Sequence, residues 1–389
     1  MTSLLVIIVL VLLAIALKQL TKIFDLTQVG ANANHSQVAN DKDNNVQGYL
    51  MFGFLAFIYI FTIYGMIQWG GLVLHTPASA HGGQLDNLMN ITWVLIFIVQ
   101  TITQALLYYF AFKYRGRQGQ QALYFADNNK LEFIWSVIPA IVLAGLILYG
   151  LYAWTSIMFI DDDEDTIVVE VYAQQFKWTA RYSGEDNVLG KANVRYIDGV
   201  NSLGVDMGDP NAQDDKVVTE LHLPIGKKVH FKFRSQDVLH SAYFPHFRAQ
   251  MNCVPGMVTE FAFEPIYTTQ QMRDMSFMQE KVANINAIRT KKSAELVAKG
   301  EPALDPYTFD YLLLCNKICG ASHYNMQMKI VVDTPEDYKK WLAGKATIAE
   351  EVKTAAATPE AGAKTTDAAT TTDTAKAAEV KMTAPVAAK

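Results

Sequence analysis

The chain has 389 residues, 51% of them apolar, and a formal net charge of −5. That apolar content lies above the ordinary range of a soluble globular chain and points to a membrane protein. The small acidic balance, with no long basic run, excludes nucleic acid as a partner.

A helix needs about 20 mostly apolar residues to cross a bilayer. Four stretches approach that: Ser3 to Leu17, Tyr49 to Trp69, Ile91 to Phe112 and Phe133 to Phe159. The first is short, but it lacks the positive leader and small-residue cleavage pattern of a signal peptide, so a span is expected there too. Lys18 and Lys22 follow the first stretch and Lys113, Arg115 and Arg117 the third, whereas Gly70 to Asn90 holds no Lys or Arg. Positively charged loops stay cytoplasmic, which puts the N-terminus, the 70–90 loop and everything after Phe159 outside. The first two segments hold no ionisable residue in their apolar cores and are expected to pack against another membrane subunit. His75 and His81 read as solvated or interfacial side chains rather than ligands. Glu132 sits at the cytoplasmic end of the fourth segment, where a helix dipole favours an acid. The acidic run Asp161 to Asp165 marks the exit into an extramembrane domain.

From Thr166 the pattern becomes alternating and rich in Val, Tyr and Phe, as in Thr166 to Tyr172, Lys216 to Leu223 and Val258 to Phe263. Such runs between Gly, Pro and Asp turns predict a β-sandwich. Met328 to Val332 reads as the last strand and Pro335 to Leu342 as a closing helix. Two insertions interrupt it. Tyr182 to Asp215 is polar and reads as a loop. Thr268 to Gly300 spaces Met272, Met275, Met278, Val282, Ile285 and Ile288 three or four apart, which predicts an amphipathic helix whose apolar side docks a partner. From 345 to 389 the chain is too poor in large apolar side chains to build a core and is expected to be a disordered tail. The expected divisions are 1–48, 49–160, 161–344 and 345–389.

The chemistry concentrates in Leu314 to Met326, where Cys315, Cys319, His323 and Met326 fall within one loop. Thiolate and thioether select soft metals, so copper is favoured over hard cations. A single blue-copper centre uses one Cys; two suggest sulfurs bridging two copper ions. The missing donor is another His, and His240, in the polar turn into which the strand Val229 to Phe233 runs, is the candidate. A structural zinc site and a Cys315–Cys319 disulfide remain as alternatives, although zinc motifs lack the Met and a disulfide leaves His323 and Met326 unexplained. Cys253 reads as structural.

Asp-Val-Leu-His-Ser around His240, followed by Cys-x-x-x-Cys-Gly-x-x-His-x-x-Met, resembles the dinuclear CuA domain of cytochrome c oxidase subunit II. The resemblance implies a membrane α-helical hairpin followed by an all-β, cupredoxin-like Greek-key sandwich. It implies His240, Cys315, Cys319, His323 and Met326 as side-chain ligands, with the backbone carbonyl of Lys317 completing the site. The hairpin corresponds to 91–160, so the first two segments are additional. Glu132, in Glu-x-x-Trp-Ser-x-x-Pro, is similar to the family's acid at a proton-uptake pathway. Gln174 to Tyr182 resembles the aromatic segment that takes electrons from cytochrome c, with Trp178 matching and Phe176 and Lys177 replacing the family's Trp and Tyr. Lys317 stands where the family has a magnesium-binding Glu, and an ammonium cannot coordinate a cation.

The implied role is electron uptake for a terminal respiratory oxidase in the bacterial inner membrane, with the copper domain periplasmic. Its implied partners are subunit I, other oxidase subunits, and cytochrome c or a haem domain of a respiratory complex. Rival readings are the copper subunit of a nitric oxide reductase, a quinol-oxidase subunit keeping the sandwich as a structural piece, and a copper chaperone.

Overall fold

The structure, a computed structural model, describes residues 2–28, 40–73, 76–160 and 166–357. Helix α1 (Thr2–Gln28) is followed by α2 (Asp41–Trp69), α3 (Gly82–Lys113) and α4 (Asn129–Met158). Among the described residues, α2, α3 and α4 are the helices long and apolar enough to cross a membrane. In α1 the described apolar stretch is the shorter Ile8–Thr21, and the side chains of 3–7, where the expected first span begins, lie outside the described residues.

Local chemistry sets the helix starts. Asn40 and Asn128 cap α2 and α4, accepting from the N–H groups of Asp43 at 2.8 Å and Leu131 at 3.0 Å. Their first turns carry Asp41, Asp43 and Glu132, which favour the positive end of the dipole. The near ends of α2 and α3 are locked together. Arg115 lies 3.9 Å over the Phe112 ring and donates to Asn45 Oδ1 at 2.7 Å, while Gly48 leaves the room that Phe112 fills. Elsewhere these helices are apolar all round and exposed, as lipid or further membrane subunits require.

The extramembrane part is a sandwich of two five-stranded sheets. The strands are β1 (Ile167–Gln174), β2 (Lys177–Tyr182), β3 (Lys216–Val218), β4 (Leu221–Pro224), β5 (Val229–Ser235), β6 (His240–Phe244), β7 (Ala249–Cys253), β8 (Thr259–Phe263), β9 (Tyr311–Cys315) and β10 (Gln327–Asp333). One sheet has the order β3-β2-β1-β5-β8 and the other β4-β10-β9-β6-β7. Pairing is antiparallel except for β1 with β5 and β4 with β10. The run expected as one strand over 216–223 is two, broken at Thr219–Glu220, and it passes from one sheet to the other.

Between the sheets, Phe231 stacks on Phe263 at 4.9 Å, Phe247 on Phe263 at 4.9 Å, and Phe244 leans on Phe231 at 5.3 Å. Full burial of each such side chain stabilises the fold by about 1.5–3 kcal/mol.

Three expectations need correction. The 268–300 helix is two helices, α5 (Thr269–Asp274) and α6 (Ser276–Val297), separated at Met275, whose backbone is extended. Met272 and Met278 are buried, and Met275 and Val282 pack on the same core. The apolar side of the helix start is therefore consumed by the domain itself. Secondly, 182–215 is not only loop, since Leu203, Val205 and Ala212 form a small buried cluster with Tyr172. Thirdly, 345–357 is not tail, and the rest of the expected tail, 358–389, lies outside the described residues. After α7 (Pro335–Ala343), α8 (Ile348–Ala357) inserts Ile348, 1% exposed, into that same cluster. Val352 packs on the same cluster and the Ile348 N–H donates to the Asp215 carbonyl at 2.8 Å, so two apolar side chains and one hydrogen bond dock a helix poor in large apolar residues.

A buried charge network crosses this region. Arg181 meets Glu170 and Asp215, each at 2.7 Å, and Arg234 also pairs with Glu170. Burial alone would push the Glu170 carboxyl up, but the two guanidinium groups hold it below the usual range. Burial pushes Asp215 up to about 6 despite Arg181. Removing Arg181 leaves the buried Asp215 without a cation and Glu170 with Arg234 alone. Arg181→Ala is expected to cost about 3–5 kcal/mol in denaturant unfolding of the detergent-solubilised chain; an unchanged midpoint would contradict this.

His246, in the turn Pro245–Phe247, faces Phe309 at 5.1 Å and Tyr311 at 5.5 Å, and neither ring nitrogen has a hydrogen-bond partner. Burial, then the charges of Lys281 and Arg248, lowers its pKa to about 4. The folded value lies below the unfolded value of about 6.5, so the neutral ring is the one the fold accepts. Stability present above that value is lost as pH falls towards 4. His246→Phe is expected to flatten the stability slope over that interval in pH-dependent unfolding.

Candidate metal centre

Two loops meet at one end of the sandwich. The first leaves β5 and turns through Asp237 into β6, whose first residue is His240; the second leaves β9 at Cys315 and returns to β10 through Met326. Strand β6 pairs with β9 through Ala242↔Cys315 and Tyr243↔Leu314. This register brings the start of one strand against the end of the other.

The donor atoms converge. Cys315 and Cys319 are free thiols with their sulfurs 3.8 Å apart, too far for a disulfide. His240 Nδ1 lies 3.7 Å from Cys315 Sγ, and His323 Nδ1 lies 3.6 Å from Cys319 Sγ. Met326 Sδ is 3.8 Å from Cys319 Sγ, and the Lys317 carbonyl oxygen is 3.2 Å from Cys315 Sγ. Ligand atoms of His240, Cys315 and Cys319 all lie within 4.8 Å of one another. Each sulfur thus has its own imidazole and its own outer donor. His240 and Met326 are buried, His323 is half-buried, and Ile318 and Tyr324 of the same loop are exposed. Burial and the neighbouring Cys315 push the Cys319 thiol up to about 11. A soft cation that takes the place of the protons suits such a pair of thiols.

The supporting groups are equally specific. His240 Nε2 donates to Asp237 Oδ1 at 2.8 Å, which leaves Nδ1 with its lone pair aimed at the sulfurs. The same carboxylate accepts from Gln175 N at 2.7 Å and Val238 N at 2.7 Å. Burial would raise the Asp237 carboxyl, but these hydrogen bonds hold it below the usual range. The Gln175 side chain donates to the Cys319 carbonyl. Gly320 adopts φ 140° and has no room for a β-carbon, which would stand 2.8 Å from Phe176 Cζ. Trp178 is buried, packs edge-on at 6.1 Å from the His240 ring, and donates from Nε1 to the Met326 carbonyl at 3.4 Å.

Residues 67–153 match the family described as cytochrome c oxidase subunit II, transmembrane domain. An alternative cytochrome c oxidase subunit 2 of Bradyrhizobium diazoefficiens is 35% identical over 276 residues, 70% of this chain and 84% of that relative. The chain belongs to the cytochrome c oxidase subunit 2 family. A cytochrome c oxidase subunit 2 of Alkalihalophilus pseudofirmus is 22% identical over 305 residues, covering 76% of this chain and 68% of its own length. The periplasmic domain of subunit II of cytochrome oxidase of Bradyrhizobium japonicum aligns over 48% of this chain and 95% of its own, at 18% identity and a TM-score of 0.27.

Membership of the subunit 2 family agrees with the apolar helices and the sandwich. Within that frame, Phe176 is half-buried over Gly320, Trp178 lies beneath the metal loops, and Glu132 is exposed in the first turn of α4. His81 Nε2 lies 3.4 Å from the Arg248 carbonyl and its ring meets Phe261. His75 and the acidic run 161–165 lie outside the described residues. Sequence reasoning missed Asp237 and Gln175. Asp237 had a signal, an Asp three residues before the candidate His in a strand-to-strand turn, where Asp caps backbone N–H groups. Gln175 had none. Asp237→Ala is expected to lower copper affinity by about 10–100-fold in competition with a chelator, and an unchanged affinity would show that His240 needs no such support.

Proposed function

We propose that the chain is the electron-accepting subunit of a terminal respiratory oxidase, its sandwich on the periplasmic side of a bacterial inner membrane. The observation that carries this is the doubled donor set: two sulfurs 3.8 Å apart, each with its own imidazole and outer ligand. A mononuclear site needs one sulfur, and a structural zinc site needs no thioether. Two copper ions held there supply reversible one-electron uptake and release.

The protein's part is to fix the ligands and keep water out. His240 is held by Asp237, the Met326 segment by Trp178, and the cysteine loop by Gln175 and the tight fit at Gly320. Phe176 provides the aromatic surface through which electrons arrive, and the buried Trp178 supports the site from below. The donor is cytochrome c or a haem domain of a respiratory complex. Subunit I receives the electrons and holds the centre that reduces oxygen, with proton translocation. Glu132, exposed in the first turn of α4, stands at the entrance of a proton pathway shared with subunit I. The exposed Lys317 side chain offers no cation ligand, so any magnesium near this loop takes its oxygen donors from elsewhere.

The test is oxygen consumption by the purified assembly with reduced cytochrome c. Cys319→Ser is expected to lower the rate more than about tenfold, since even supporting residues of a metal site cost that much. Undiminished oxygen uptake in that variant, or an assembly that reduces nitric oxide and not oxygen, would overturn the reading.

A further inference from the structure

The segment joining α2 to α3 lies across the sandwich. Ala78 N–H donates to the His246 carbonyl at 2.7 Å, Ala80 N–H to the Glu264 carbonyl at 3.0 Å, and Ile266 N–H to the Ala78 carbonyl at 2.9 Å. The Ser79 hydroxyl donates to the Phe247 carbonyl at 2.6 Å. Ala78 and Ser79 are fully buried there. One helical turn into α3, Asp86 accepts two hydrogen bonds from Arg248, from Nε at 2.8 Å and Nη2 at 2.9 Å.

Two further features mark this contact as specific. Arg248 has φ 52°, a left-handed conformation that disfavours residues other than Gly, Asn and Asp. Such a conformation persists where surrounding contacts over-determine it, and here the bidentate pair aims the guanidinium at α3. Gly82 leaves the space that this crossing needs, since a β-carbon would stand 2.5 Å from Pro77 Cβ and 3.3 Å from Arg248 Cγ. Helix α4 joins the same assembly, with Ser156 3.3 Å from Gln84 and with Ile157 and Met158 packed on the sandwich core.

The gripped turn 245–248 continues directly from β6, whose first residue is His240. We propose that residues 76–86 and Arg248 form a clamp that sets the height and tilt of the metal loops above the membrane helices. Asp86 and Arg248 are then positioning residues for electron transfer into the membrane partner. This rests on the electron-accepting reading above. Displacement of the clamped turn is carried along a five-residue, largely buried strand to the imidazole, and transfer between fixed centres falls steeply with separation.

The experiment uses the assembled oxidase with Asp86→Ala, or with Arg248→Gly should the first fail to assemble. Three readouts are compared with the parent: hydrogen exchange at 76–86 and 245–248, copper content and spectrum, and the single-turnover rate from copper to haem. The clamp predicts faster exchange, an unchanged copper spectrum and a transfer rate lower by up to about 100-fold, as a misplacement of about 1 Å costs in other positioned reactions. Asp86→Arg combined with Arg248→Asp should recover much of the rate, because Asp tolerates the left-handed backbone. Unchanged exchange, an unchanged rate, or loss of copper in the single variant would overturn the clamp. A parent assembly that binds no copper would contradict the underlying reading, and the exchange measurement, which needs no metal, would still decide the clamp.

Discussion

The pairing of β6 with β9 is the constraint on which the rest depends. It joins residues 75 positions apart, so that the His240 imidazole and the Cys315 sulfur share one pocket. Without that register the cysteine loop would be a short run of soft donors in solvent, with no fixed second imidazole. The ladder is held by an apolar interior of stacked Phe rings, which tolerates little movement because interiors are close-packed. A rigid scaffold with chemistry on its end loops is a common division of labour. Here the loops are also tied to one another, through Asp237, Gln175 and Trp178.

Much of the site was legible because soft-metal chemistry needs rare residues. Two Cys, a His and a Met in one loop have few other uses, and the strand before His240 marked where a further donor would stand. The supporting groups were less legible, because Asp and Gln are ordinary surface residues and only the fold brings Gln175 to the Cys319 carbonyl. The fold followed the same rule. Apolar runs of membrane length announce themselves by their unbroken length, and strands by burial repeated at every second position. The break between β3 and β4 does not, because a change of sheet alters the partner and not the alternation. Nor did α8, where Ile348 and Val352 do the anchoring, or α5 and α6, where the Met periodicity was correct and its destination was the domain's own core.

The extramembrane domain is also less separate from the helices than a linear reading suggests. A sequence shows 70–90 as an outer loop without Lys or Arg, but its residues 78–80 bond to the edge of the sandwich and Asp86 reaches Arg248. Such contacts have no local periodicity, because they depend on where 248 lies relative to 86. They give the loop a physical role that composition alone does not express, tying the sandwich to the start of α3.

The central claim is that two metal ions share the two cysteine sulfurs. Electron paramagnetic resonance with copper quantification on the detergent-solubilised full chain tests it most directly. The account predicts two coppers per chain and a spectrum of one unpaired electron shared equally between them, lost in Cys315→Ser. One copper with a blue-type spectrum, or zinc in place of copper, would contradict it.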